Sequence, residues 1–145
     1  MANFWHRMLN RVHRAVLALS GGRLGWTLGS MPVVELHTVG RATGKRRSAM
    51  LTAPVHRDGR YVLVASKGGS PRHPAWYLNL LENPNVELTV NERTVPMRAR
   101  TATAEERAEL WPRITAEYTG YAGYQRRTAR EIPVVICEPR SASGA

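Results

Sequence analysis

Four cations fall within seven residues at Arg41, Lys45, Arg46 and Arg47, in the stretch GRATGKRR. Gly40 and Gly44 bracket this stretch and let the backbone turn sharply with its N–H groups outward, while Ala42 stays small and Thr43 adds a hydroxyl. Such a set can cradle a phosphate or a carboxylate. A solvated basic turn would contain the same residue types, so the stretch alone leaves both readings open. The Gly-Lys pair is not followed by Ser or Thr, which excludes a Walker loop, and the glycine spacing excludes a dinucleotide fingerprint.

Two further clusters have chemical potential. Ala65, Ser66, Lys67 and Gly68 belong to ASKGG, a glycine-rich turn with a hydroxyl and one of the only two lysines. HPAWYLN follows, and its Ala75, Trp76, Tyr77, Leu78 and Asn79 combine aromatic surface with an amide at the start of a helix, whose positive end favours anions. One of the two rings is expected to be core, and His73 beside Arg72 reads as a surface residue. Tyr118, Tyr121 and Tyr124 are spaced by three, which on a helix spreads them over one face. That face suits either the wall of a pocket for a flat, partly polar ligand or plain packing. No serine elbow, HExxH or carboxylate pair is present, and the single cysteine, Cys137, excludes an intrachain disulfide and a cysteine zinc cage. No metal site is expected.

The whole composition points the same way. The chain of 145 residues has the length of one domain, and its 21 Lys+Arg against 11 Asp+Glu leave a net charge of +10. An anionic partner is implied, whether nucleic acid, a membrane surface or a phosphorylated or polycarboxylate small molecule. No apolar run is long enough to span a membrane and no signal core is visible, so a cytoplasmic location is expected.

The elements that must position these residues are mainly strands. Runs rich in Val, Ile, Thr and Tyr at 33–39, 50–56, 61–66, 86–90, 94–101 and 133–138 predict six antiparallel strands, enough to close a small barrel. Asp58-Gly59 and the Asn91-Glu92-Arg93 link predict hairpins. Residues 61–65 are continuously apolar, which predicts a central strand. Helices are expected at 74–81, from a Thr103/Glu106 capping box through Trp111, and around 118–130. Residues 4–20 alternate apolar and arginine positions at helical spacing, so residues 1–25 form an amphipathic unit that either packs on the domain or lies on an anionic membrane. Residues 26–139 form the barrel domain and 140–145 a flexible tail.

The ordered set TVGRATGKRR, DGRYVLVASKGG, HPAWYLNLLENPNVEL, LWP, the spaced tyrosines and IPVVICEP resembles the deazaflavin-dependent nitroreductase family of actinobacteria, over about residues 33–139. That resemblance implies a mainly β fold with α, a six-stranded antiparallel split β-barrel of the flavin-reductase type, and coenzyme F-420, an 8-hydroxy-5-deazaflavin, as cofactor. It implies that Arg41, Ala42, Thr43, Lys45, Arg46 and Arg47 hold the phosphodiester and oligoglutamate tail. The ring would be lined by Met50, Leu51 and Thr52, by Ala65, Ser66, Lys67 and Gly68, and by Ala75, Trp76, Tyr77, Leu78 and Asn79. Tyr121, Tyr118, Tyr124 and Ser66 are the implied catalytic groups, with Tyr121 touching cofactor and substrate. The implied reaction is hydride transfer to a quinone-like or nitroaromatic acceptor, with a homodimer and a membrane contact through the first helix as further expectations. A carrier that binds deazaflavin without turnover, a flavin mononucleotide oxidase on the same barrel, and a barrel binding single-stranded nucleic acid are the competing readings. The tryptophans sit in helix-like stretches rather than on exposed strands, which argues against nucleic acid.

Overall fold

The computed structural model describes residues 27–28 and 31–140, so the expected helix over 1–25 and all of the tail but Arg140 lie outside the described residues. Eight strands are present rather than six: β1 (Thr27–Leu28), β2 (Met31–Val39), β3 (Arg46–Thr52), β4 (Val55–Arg57), β5 (Arg60–Val64), β6 (Asn85–Val90), β7 (Arg93–Thr101) and β8 (Val134–Pro139). They form one antiparallel sheet in the order β1-β2-β6-β7-β8-β5-β4, with β3 also paired to β2. Its ends, β3 and β4, are consecutive in the chain and joined only by Ala53-Pro54, so the sheet curls round and its two edges meet at a covalent link.

That link corrects the expectation of a single strand at 50–56. Proline offers no N–H to a ladder, so the pairing with β2 makes its last bond from the Ala53 N–H to the Pro32 carbonyl at 3.0 Å, and the chain leaves β2 at Pro54. The second correction is at Arg46 and Arg47, which begin β3 instead of lying in a loop. They pair with Val39 and Thr38 of β2, on an edge strand where charge protects against further pairing.

Both hairpin expectations hold. Asp58 and Gly59 take φ of 56° and 77°, and Asn91 and Glu92 take 50° and 68°, the left-handed pairs a two-residue turn needs. β5 lies between β4 and β8, and both its faces are buried: Leu63 joins Leu36, Leu88 and Val135 inside the curl, while Val62 and Val64 join Ile114, Ile132 and Ile136 outside it. A strand covered on both faces must be apolar throughout, which is the origin of the run at 61–65.

Among the described residues there are three α-helices: α1 (Ala75–Glu82), α2 (Ala104–Glu117) and α3 (Gly120–Arg127). Pro74 precedes α1 as its cap rather than entering the first turn. α2 continues past Pro112, further than expected, and α3 begins only at Gly120, so Tyr118 sits between the helices and not on the face of one.

The Thr103/Glu106 capping box forms as expected. Arg100 donates two hydrogen bonds to Glu106, at 2.7 and 2.9 Å, and a third to Glu138 at 2.9 Å. The Arg100 bonds, then the Thr103 N–H, hold the Glu106 carboxyl at about 2, below its ordinary 4.5. The folded state therefore binds fewer protons than the unfolded one between those values, so this support is complete above about pH 5 and is lost as pH falls toward about 2. Glu106→Gln is expected to flatten the acid limb of a stability-against-pH curve in that window; a limb as steep as that of the wild type would exclude the assignment.

Candidate functional site

The turn between β2 and β3 is closed by its own backbone. Gly40 N–H donates to the Lys45 carbonyl at 2.8 Å and Gly44 N–H to the Gly40 carbonyl at 2.7 Å, with Gly44 at φ +71°. Lys45 N–H donates to Thr43 Oγ1 at 3.2 Å. α1 approaches this turn and fixes it through Asn79, a buried amide whose Oδ1 accepts from Arg41 N–H at 3.2 Å and from Arg41 Nη1 at 2.9 Å. Asn79 Nδ2 donates to Thr38 Oγ1 on β2 at 3.1 Å. All three bonds run between segments far apart in sequence, and they hold the Arg41 guanidinium against α1.

Between turn, β3 and α1 lies an open cleft of about 450 Å³, lined by Arg41, Ala42, Thr43, Arg47, Ala49, Ala75, Trp76 and Asn79 among others. Two guanidinium groups, a hydroxyl and an indole meet there, an arrangement that can take an anionic ligand with a flat or apolar portion. Arg46, one residue from Arg47, projects to the other side of β3 and is ion-paired with Glu87. Strand alternation thus divides the basic run into one arginine that faces the cleft and one that is already partnered.

The second centre lies at the other end of β3. Thr52 Oγ1 is 2.9 Å from the Tyr121 hydroxyl, and Tyr121 is buried at 7% exposure. The rings of Tyr118, Tyr121 and Tyr124 meet edge to face, with centroids 5.2 to 6.2 Å apart, and the Tyr118 and Tyr124 hydroxyls are 3.3 Å from each other. Burial raises the Tyr121 phenol above its ordinary value, against the bond from Thr52. Burial, then the hydrogen bond to Tyr118, pushes Tyr124 up to about 12. Both phenols are therefore protonated donors at neutral pH.

Against this cluster packs the glycine turn Lys67–Gly69, in which Lys67, Gly68 and Gly69 all have positive φ, at 46°, 63° and 83°. A Cβ on Gly69 would lie 2.7 Å from the Tyr124 carbonyl oxygen, so glycine is required for the turn to reach α3. Gly120 does the same for Tyr118, whose ring lies where a Cβ at 120 would stand.

The candidate residues therefore separate into two groups. Arg41, Ala42, Thr43, Arg47, Ala75, Trp76 and Asn79 meet in the cleft. Thr52 and Ser66 to Gly69 belong with Tyr118, Tyr121 and Tyr124. Lys45, Met50, Leu51 and Leu78 do not line the cleft, and neither does Tyr77, which is core and hydrogen-bonded to Thr101 at 2.8 Å. Of the two rings at 76 and 77 one is core, as expected, and Trp76 is the one facing the cleft.

His73 is half-buried rather than on the surface, because Arg130 reaches its Nδ1 at 3.2 Å. Arg130 and Gln125, which ties Arg130 and Ile132 together, carry no local signature and are missed by sequence reasoning. Among the described residues no group of His, Cys, Asp or Glu could hold a metal ion. No described helix is long and apolar enough to cross a membrane.

Residues 8–139 match the profile of the family described as F420H(2)-dependent quinone reductase. A protein of that name from Mycobacterium tuberculosis is 39% identical over 137 residues, which cover 91% of each chain. A solved structure of an F420-H2 dependent reductase, FDR-A, is 42% identical over 74% of this chain and 94% of its own, with a TM-score of 0.67. A further solved chain, described as a domain-swapped dimer, is 38% identical over 88% of this chain and 96% of its own, with a TM-score of 0.69. These matches extend the resemblance over most of the N-terminal segment and replace nitro compounds by quinones in the family's description. The basic cleft, the buried phenols and the curled antiparallel sheet thus belong to a deazaflavin-dependent oxidoreductase: this chain is a member of the F420H(2)-dependent quinone reductase family.

Proposed function

We propose that this protein passes a hydride from reduced coenzyme F-420 to a quinone, with the cofactor's anionic tail in the basic cleft and its ring toward the tyrosines. The observation that carries this reading is β3, which has Arg47 in the cleft at one end and Thr52 on the Tyr121 hydroxyl at the other. They stand five positions apart, about 17 Å along the strand and on opposite faces of it, so a long ligand with a charged end and a flat end would span them by passing across the free edge of β3. Nitroaromatic acceptors, a homodimer, a membrane contact of the N-terminal segment and closure of the curled sheet as a split barrel complete the reading; the domain-swapped relative supports the dimer.

The residues fit such a cofactor by their donor chemistry. Arg41 and Arg47 offset phosphodiester and carboxylate charge, and Thr43 adds a hydroxyl. When bound, the reduced deazaflavin supplies the hydride. The chain's own part is to hold the acceptor and to supply the proton that, with the hydride, converts quinone to hydroquinone. Tyr121 and Tyr124 are neutral donors held in an apolar wall, placed to stabilise charge as it develops on the acceptor oxygen. Tyr118, exposed and 3.3 Å from the Tyr124 hydroxyl, connects that donor to solvent so a transferred proton is replaced.

Titration with oxidised coenzyme F-420, followed by tryptophan quenching beside flavin mononucleotide at the same salt, tests the reading. Arg47→Ala is expected to weaken binding about tenfold or more, since a hydrogen bond to a charged group contributes about 1.5–3 kcal/mol. Arg46→Ala is expected to change it less than about threefold, its guanidinium being committed to an exposed pair with Glu87. Tighter binding of flavin mononucleotide would favour the oxidase reading, and tight binding without quinone reduction would favour the carrier.

A further inference from the structure

The side chain of Arg130 is used neither by the cleft nor by the tyrosine cluster, yet it has more backbone partners than any other guanidinium described. Its Nε donates to the Ser70 carbonyl at 2.8 Å, Nη1 to the Ala65 carbonyl at 3.2 Å and Nη2 to the Ser66 carbonyl at 2.9 Å. Nη1 also lies 3.2 Å from His73 Nδ1. A guanidinium has no acceptor, so this contact requires the His73 Nδ1 lone pair and places the ring's proton on Nε2. One planar cation thus fills the inside of the bend from Ala65 to His73. Its own backbone is fixed in turn, because Gln125 of α3 donates from Nε2 to the Arg130 carbonyl at 2.8 Å and accepts the Ile132 N–H at 2.9 Å.

The consequence follows from peptide planarity. In a trans peptide the C=O and the following N–H point in opposite directions. With the Ala65 and Ser66 carbonyls drawn toward Arg130, the N–H groups of Ser66 and Lys67 are aimed away from it, and neither has a partner among the described residues. Ser66 is only 8% exposed, so its N–H is a donor held ready at a mostly buried position. Left-handed backbone at Lys67, Gly68 and Gly69 is closed on itself by the Gly69 N–H to the Ser66 carbonyl at 2.9 Å and the Ser70 N–H to the Lys67 carbonyl at 3.1 Å, and the three carbonyl bonds from Arg130 tie that short turn to the rest of the fold.

We infer that Arg130 is a positioning residue: by gathering the Ala65, Ser66 and Ser70 carbonyls on one guanidinium, it fixes the Ser66 and Lys67 N–H groups as a preformed pair of donors for the polar edge of a ring bound beside Tyr121. This rests on the function proposed above and adds a residue to which the sequence resemblance gives no role. Arg130 touches neither cofactor nor acceptor and acts only through the turn. The turn, α3 with its tyrosines, and the start of α1 through His73 are locked as one body by this side chain.

The test uses the full chain and two variants, Arg130→Met and Arg130→Lys. In ligand-free protein, hydrogen exchange of the bonded Gly69 and Ser70 amides is expected to rise at least about tenfold in Arg130→Met, with β6 and β7 unchanged. Binding of oxidised coenzyme F-420 is expected to weaken about tenfold or more. Arg130→Lys, whose ammonium reaches fewer of the four acceptors, should fall between wild type and Arg130→Met on both readouts, and it serves alone if Arg130→Met does not fold. Wild-type exchange at Gly69 and Ser70 in both variants would overturn the inference. So would a uniform rise across β6 and β7 as well, which is the mark of a purely structural role. Failure of the wild-type chain to bind coenzyme F-420 would overturn the proposed function instead, and the exchange contrast would still decide whether Arg130 fixes the turn.

Discussion

Gly69→Ala is expected to destabilise the protein by about 2–5 kcal/mol, the sum of about 1–2 for an L-residue in left-handed backbone and about 1–3 for overpacking. The backbone at Gly69 has φ +83°, and the added methyl would meet the Tyr124 carbonyl oxygen at 2.7 Å, the Arg127 Cβ at 3.0 Å and the Tyr124 Cα at 3.1 Å. Two of these atoms are helix backbone and cannot rotate away, so either the turn or α3 must move. Gly44→Ala is the matched control: φ is +71°, but nothing lies within 4 Å of the new methyl, so only the conformational cost of about 1–2 kcal/mol applies. Urea melts of the two variants should therefore differ in midpoint at equal slope. Because α3 holds Tyr121 and Tyr124, Gly69→Ala should also impair quinone reduction at temperatures where the protein is folded and the cofactor is saturating, whereas Gly44→Ala should not. Equal midpoints would mean that the close approach of turn and helix has no energetic weight.

What could be read from the sequence was what local physics determines. The left-handed pairs at Asp58-Gly59 and Asn91-Glu92, the Thr103/Glu106 cap and the doubly buried strand at 61–65 each follow from a few adjacent residues. Arg46 and Arg47 escaped assignment to a strand because charge reads as loop, although at a sheet edge charge and strand are compatible. The spacing of Tyr118, Tyr121 and Tyr124 implied one helix face, and the rings do meet, but Tyr118 reaches the others from outside α3 by folding over Gly120. Arg130 could not be found at all, since its partners lie 57 to 65 residues away and nothing at position 130 distinguishes it from twenty other cations. The residues named by the resemblance are gathered by the fold at two places, the cleft and the tyrosine cluster, while the division of Arg46 from Arg47 needed the register of β3 with β2.

Asn79→Asp is expected to keep the fold and lose the ligand. The carboxylate retains an acceptor for both Arg41 donors, and the Thr38 hydroxyl can rotate from accepting to donating, so every polar atom stays paired and stability should remain within about 1 kcal/mol of wild type. What changes is the charge of the cleft, whose two lining guanidinium groups are reduced to a net charge of one. A negative charge would sit on the Arg41 guanidinium, one of the two that line it, and would repel the anionic tail in the same step. Affinity for oxidised coenzyme F-420 should fall at least about tenfold, which is about 1.4 kcal/mol, and raising salt should reduce the difference from wild type. Asn79→Leu separates this from a mere loss of shape. It strands the buried Thr38 hydroxyl and the Arg41 N–H, at about 1–3 kcal/mol for each group left unsatisfied, while adding no charge. Its stability should therefore fall below that of Asn79→Asp even though its electrostatics are milder. Should Asn79→Asp bind oxidised coenzyme F-420 as tightly as wild type, the cleft would not be where the anionic tail lies, and the position of the ring beside Tyr121 would have to be argued without it.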